Sequence, residues 1–137
     1  QNTGYMDGTW DFAGSGPVDE NETARQAVAR ECREELGIAV DPADAEFVHL
    51  CHRVAGGDGR TYYDMCFVIR RYQGEPAVME PEKNAGLRWF PAGALPENIS
   101  SAVEAMLSCC LAGIPYSEYF NDRPVVLNGK SENGVNA

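Results

Sequence analysis

Residues 16–38, GPVDENETARQAVARECREELGI, form a heavily charged passage of the chain. Thr23 to Leu36 predicts a helix, because Ala, Arg, Gln, Glu and Leu are strong helix formers, neither Pro nor Gly interrupts them, and Gly37 stands where a glycine cap belongs. At about 100° per residue, Ala24, Ala27, Val28 and Cys32 share an arc that should face a core. Glu31 and Glu35 project into that arc and Glu34 borders it. Two readings are open. Charge runs are ordinarily solvated faces, and Arg30 with Glu34 is an ion pair at i,i+4 spacing. Carboxylates aimed at one another, however, raise each other's pKa unless a cation lies among them, and clusters of hard oxygen suit Mg²⁺ or Mn²⁺.

Gly16, Glu22 and the run Arg30-Glu31-Cys32-Arg33-Glu34-Glu35-Leu36-Gly37-Ile38 resemble the Nudix box, G-x5-E-x7-R-E-U-x-E-E-x-G-U, where U is bulky and aliphatic. Every fixed polar and glycine position is met. Cys32 departs from the pattern, a small apolar residue in an aliphatic place, which bears on packing more than on chemistry. The resemblance implies an α/β fold, the Nudix α/β/α sandwich with a mixed sheet, here reading as short of its N-terminal strand or strands. It also implies hydrolysis of a diphosphate linkage in a nucleoside di- or triphosphate, releasing a nucleoside monophosphate.

By the same resemblance, the Gly16 carbonyl, Glu31, Glu34 and Glu35 hold Mg²⁺, with Mn²⁺ as an alternative. Arg30 orients one of these glutamates, and Glu22 supports the loop–helix junction or an additional metal. A further acid outside the box is Glu80 or Glu82. The sequence Glu80-Pro81-Glu82-Lys83 followed by Trp89-Phe90 resembles relatives of the MutT type and favours Glu80. The general base is a box glutamate or Glu80. Other diphosphates remain as substrates, namely nucleotide sugars, coenzyme A, dinucleoside polyphosphates and isoprenoid diphosphates, although Arg53 to Gly56 occupy the window where a proline or tyrosine marks some of those branches. A non-catalytic binding module is the third reading, and its usual erosion of the glutamates is absent.

The whole chain sets the bounds. Its 137 residues, 44% of them hydrophobic, suffice for one domain with a real core. We read residues 1–122 as that domain and 123–137 as a flexible tail. A net charge of −10 opposes sequence-independent binding to nucleic acid or to an anionic membrane. The resemblance implies a small nucleotide as partner, and a homodimer is left open. Five cysteines, odd in number and without C-x-x-C spacing, fit free thiols in a reducing cytoplasm. No run reaches the roughly 20 apolar residues of a membrane helix.

Around the box, Thr9 to Ala13 predicts a short strand feeding the loop Gly14-Ser15-Gly16. Pro17 stands where a histidine is common in similar sequences and keeps Gly16 out of the right-handed helical region. Ile38–Val40 and Glu46–Val54 read as strands, separated by the turn formers Asp41 to Asp44. Gly56 to Gly59 closes a hairpin to Arg60–Arg71, expected in the middle of the sheet. His49 and His52 with Cys51 do not suggest zinc, because side chains three apart on a strand point to opposite faces. Arg53 is either a phosphate contact or a solvated edge residue. Glu75 to Lys83 is too rich in proline for a central strand, and Leu87–Pro91 reads as one. A second helix spans Ser100 to Ala112, with Val103, Met106, Leu107, Cys110 and Leu111 as its core stripe. Pro115 to Phe120 reads as an aromatic ending that folds back.

Overall fold

Thr23 opens the first helix through a capping box. Its hydroxyl accepts the Gln26 N–H at 3.2 Å and the Gln26 side chain accepts the Thr23 N–H at 2.8 Å, so two amides orphaned at the helix start find partners. α1 runs Ala24–Leu36 and closes at Gly37, whose φ of 70° lies in the left-handed region that glycine enters without strain. The computed structural model describes residues 11–12, 14–82, 86–91, 93–127 and 130–131. The strand expected at Thr9 to Ala13 lies mostly outside the described residues, and Asp11 and Phe12 have no regular structure.

The chain divides into two compact units. The first comprises residues 1–46 and 69–100. Ala29, Cys32, Ile38 and Val40 are buried at its core, with Val28, Leu36 and Ile69 packed against them. Ala27 and Cys32 are buried as the helical arc predicts, and Ala29 joins them. Ile38–Val40 forms a single bridge rather than a strand: Ala39 and Gln73 exchange both main-chain hydrogen bonds at 2.9 Å. Asp41 then caps a 3-10 turn, Pro42–Asp44, by accepting the Ala43 N–H at 2.9 Å. Leu87–Pro91 is irregular rather than a strand, and Trp89 is 76% exposed. Among the described residues no strand pairs with this run, so its apolar residues alone do not make it a strand.

The second unit comprises residues 47–68 and 101–137. β1 (Ala45–Val54), whose first two residues belong to the first unit, β2 (Thr61–Ile69), β3 (Tyr116–Phe120) and β4 (Arg123–Pro124) form a mixed sheet in the order β2-β1-β3-β4. β1 and β3 are parallel, with Leu50 opposite Tyr116 and Val54 opposite Phe120. The Ala55 N–H reaches the Arg60 carbonyl at 2.8 Å to close the β1–β2 turn, and the cross-strand contacts of His52 with Tyr63 and Arg53 with Tyr62 run antiparallel. Among the described residues β2 ends the sheet rather than running through its middle. Its apolar residues alternate between faces, leaving Tyr63 and Met65 exposed. Tyr116–Phe120 is a full sheet strand, where only an aromatic ending over Pro115 to Phe120 was expected. The left-handed pair Asn121 (φ 51°) and Asp122 (φ 64°) turns it into antiparallel β4, which begins just beyond the division drawn at residue 122. β5 (Val126–Leu127) pairs antiparallel with β6 (Lys130–Ser131).

α2 (Ser101–Ala112) buries Val103, Met106 and Cys109, while Leu111 of the expected stripe is exposed. Cys51, Met106 and Tyr119 form the core of this unit, with Cys66, Ala102 and Ala105 against it. His49 is fully buried: one ring nitrogen lies 2.6 Å from the Ile114 carbonyl and the other 2.8 Å from the Ser117 hydroxyl. It is a structural tie. His52 stacks on Tyr63 with ring centroids 4.6 Å apart. None of the five cysteines forms a disulfide.

Candidate metal and phosphate site

The box glutamates sit on the last two turns of α1, and the loop before the helix comes back to meet them. Arg30 is the hub. Its guanidinium donates to Glu22 (2.9 Å), Glu31 (2.7 Å), Glu34 (3.1 Å) and the Pro17 carbonyl (2.9 Å), and Asp19 lies 3.4 Å away. Only a planar fork with five donors can serve so many acceptors at once. These hydrogen bonds, led by that to Glu22, hold the guanidinium firmly protonated, and Arg30 with the Asp19 amide lowers the pKa of Glu22. Glu22 thereby ties the loop to the helix, since its carboxylate also accepts the Asp19 N–H at 2.9 Å.

Glu35 is held separately. Its carboxylate accepts the Gly14 N–H at 2.8 Å and the Ser15 N–H at 3.1 Å. Its pKa is raised, chiefly by burial and further by the negative charges of Glu31 and Glu80, against the opposing pull of the two amides. Gly16 brings loop and helix into contact: a Cβ there would lie 2.4 Å from a Glu31 carboxylate oxygen. Behind this layer, Cys32 is buried, and burial raises its thiol pKa. A groove of about 230 Å³ in the first unit is lined by Cys32, Leu36, Ile38, Tyr72 and Trp89 among others.

Among the described residues no three His, Cys, Asp or Glu side chains converge closely enough to hold a metal ion. Glu31 and Glu34 are turned onto Arg30, and Glu35 onto the loop amides. The donor chemistry nonetheless fits a hard divalent cation. Three carboxylates lie within two helical turns, Glu31 presses on the backbone of Gly16, and the charge crowding at Glu35 is of the kind a cation relieves. The structure thus brings Gly16, Glu22, Arg30 and Glu31 into one cluster with Glu34, sets Glu35 against the same loop, and brings the charge of Glu80 to bear on Glu35. Glu82 is exposed.

Several contributors are invisible in the sequence pattern. The Gly14 and Ser15 amides, Asp19 and the Pro17 carbonyl act through the folded path of the loop, for which the glycine-rich run before the helix was the one signal. Pro17 replaces the common histidine, yet its carbonyl anchors the hub. Arg53 is not a freely solvated edge residue: it pairs with Asp64 at 2.6 Å and lies over the Tyr62 ring.

The NUDIX domain model matches residues 2–107, so the chain belongs to the Nudix family of hydrolases. An uncharacterized Nudix hydrolase of Listeria innocua is 30% identical over 80 residues, 58% of this chain and 44% of that protein. The chain thus matches less than half the length of that relative. The crystal structure of a MutT NUDIX hydrolase from Burkholderia pseudomallei superposes with a TM-score of 0.60 at 31% identity, covering 66% of this chain and 68% of that one. The mixed sheet with its helices is the Nudix fold. No described helix is long and apolar enough to cross a membrane.

Proposed function

We propose that the chain hydrolyses the diphosphate linkage of a nucleoside di- or triphosphate in the cytoplasm, giving a nucleoside monophosphate with phosphate or pyrophosphate. Residues 1–122 act as the catalytic domain on a small-molecule nucleotide. The observation that carries this reading is the capture of Glu22, Glu31 and Glu34 by one guanidinium beside a loop that holds Glu35. The residues to hold Mg²⁺, or Mn²⁺, are Glu31, Glu34 and Glu35 with the Gly16 carbonyl. A cation bound there would neutralise phosphate charge and make the attacking water more acidic. Arg30 fixes the side chains of Glu31 and Glu34 and, through Glu22, the loop that carries Gly16. Gly14 and Ser15 orient Glu35 through their amides. A carboxylate of the set, either a box glutamate or Glu80, takes the proton of the attacking water as the anhydride bond breaks toward the departing phosphate.

Phosphate release from a panel of nucleoside triphosphates and diphosphate conjugates, with Mg²⁺, tests this for wild type and Glu34→Gln. Turnover of triphosphates that is lost in Glu34→Gln is expected. Turnover of conjugates alone would move the substrate class to nucleotide sugars, coenzyme A or dinucleoside polyphosphates. Nucleotide binding without any turnover would sink the enzyme reading.

A further inference from the structure

The last carbonyls of a helix have no partners within it. In α1 those of Glu35 and Leu36 are capped from outside by residues 73–80. The Ala77 N–H donates to the Leu36 carbonyl at 3.0 Å and the Met79 N–H to the Glu35 carbonyl at 3.2 Å, after Gln73 has fastened the segment to Ala39. Two glycines let the chains close up. A Cβ at Gly37 would lie 2.9 Å from the Met79 sulfur, and one at Gly74 would lie 3.5 Å from the Gly37 carbonyl. Pro76 and Pro81 leave little slack on either side.

We infer that residues 73–80 are a main-chain strap whose Ala77 and Met79 amides position Glu80 against the Glu35 end of the metal-binding helix. The residue after Met79 is Glu80, so the hydrogen bond to the Glu35 carbonyl fixes the origin of the Glu80 side chain relative to Glu35. Ala77 and Met79 are positioning residues, acting through Glu80. The inference rests on the metal-dependent reading above and adds the device that brings an acid from outside the box to the helix.

The test is a double-mutant cycle of Ala77→Pro and Glu80→Gln. Ala77→Pro deletes one strap N–H with little change of side-chain volume. The readouts are Mn²⁺ affinity, from the electron paramagnetic resonance of the free ion, and kcat and KM measured separately. Ala77→Pro is expected to weaken Mn²⁺ binding roughly tenfold, as loss of an outer support does, and to lower kcat with KM unchanged. In the Glu80→Gln background it should cost nothing further. An equal loss in both backgrounds would make the strap a merely structural element and overturn the inference, while the metal reading stands. A wild type that neither binds Mn²⁺ nor turns over any diphosphate overturns that reading and the inference with it. If Ala77→Pro fails to fold, replacement of Met79 by its α-hydroxy acid, which removes only the N–H to Glu35, runs the same cycle.

Discussion

Replacing Gly16 by alanine tests how closely the loop and α1 must approach. The backbone of Gly16 is not among the left-handed glycines, so the added methyl brings no conformational strain and acts by contact alone. That contact is severe: the new Cβ would meet a Glu31 carboxylate oxygen at 2.4 Å and the carboxyl carbon at 2.5 Å, where side chains do not approach below 3.0 Å. Glu31 or the loop must therefore retreat by about 0.6 Å or more, since repulsion rises steeply inside the van der Waals minimum. Glu31 is part-buried and held at 2.7 Å by Arg30, so its retreat disturbs the hub that also fixes Glu22 and Glu34. A misplacement of roughly 1 Å at a reacting centre costs about a hundredfold, so a retreat of this size should lower kcat by roughly ten- to a hundredfold. The fold is expected to survive, because the methyl enters the loop–carboxylate contact and not the apolar core. Continuous phosphate-release kinetics beside a thermal melt measure both. An alanine variant with wild-type kcat would refute the claim that the Gly16–Glu31 approach matters for the chemistry.

Three further outcomes are expected. Thr23→Ala removes the capping hydroxyl of α1 and should cost about 1 kcal/mol, seen as a drop of roughly 3–5 °C in the melting temperature with kcat retained. His49→Ala strands the Ile114 carbonyl and the Ser117 hydroxyl in the core and should cost roughly 2–4 kcal/mol in urea unfolding. Glu35 has its pKa raised in the folded protein, chiefly by burial, so the folded protein binds more protons there than the unfolded chain, and the metal-free protein loses stability as pH rises from the ordinary glutamate range through the raised pKa. Glu35→Gln should accordingly raise the metal-free melting temperature at pH 7 and leave it unchanged at pH 3, while weakening Mn²⁺ binding at pH 7.

The helix and its glycine cap could be read from local signals. Gly37 and the apolar positions Ala27 and Cys32 act within one or two turns of themselves, where propensity and periodicity speak directly. The family resemblance came from the box pattern, which is equally local. What the pattern could not reveal was the partner of each group. Arg30 was expected to orient one glutamate and engages three, because Glu22 and Pro17 reach it only through the path of the loop. Apolar residues also suit a strand at Ile38–Val40 and at Leu87–Pro91, but main-chain pairing decides whether one forms: the first is limited to a single bridge with Gln73, and the second is irregular. Tyr116–Phe120 was missed as a sheet member because its partner, β1, lies far back in the chain, and parallel pairing leaves no turn signal between the two.

That long interval bears on how the protein is made. Leu50 meets Tyr116, so β1 leaves the ribosome 66 residues before the strand that will flank it. At synthesis rates of about 5–20 residues per second, the wait is roughly 3–13 s. Throughout it, among the described strands of the sheet, β1 can pair only with β2, and the row of its amides and carbonyls that β3 will take stands open to any passing strand. His49, whose ring waits for Ile114 and Ser117, belongs to the same unfinished edge. The nascent chain is thus most exposed to aggregation between the completion of its first hairpin and the arrival of residue 120, and slower translation through residues 70–115 would lengthen that window.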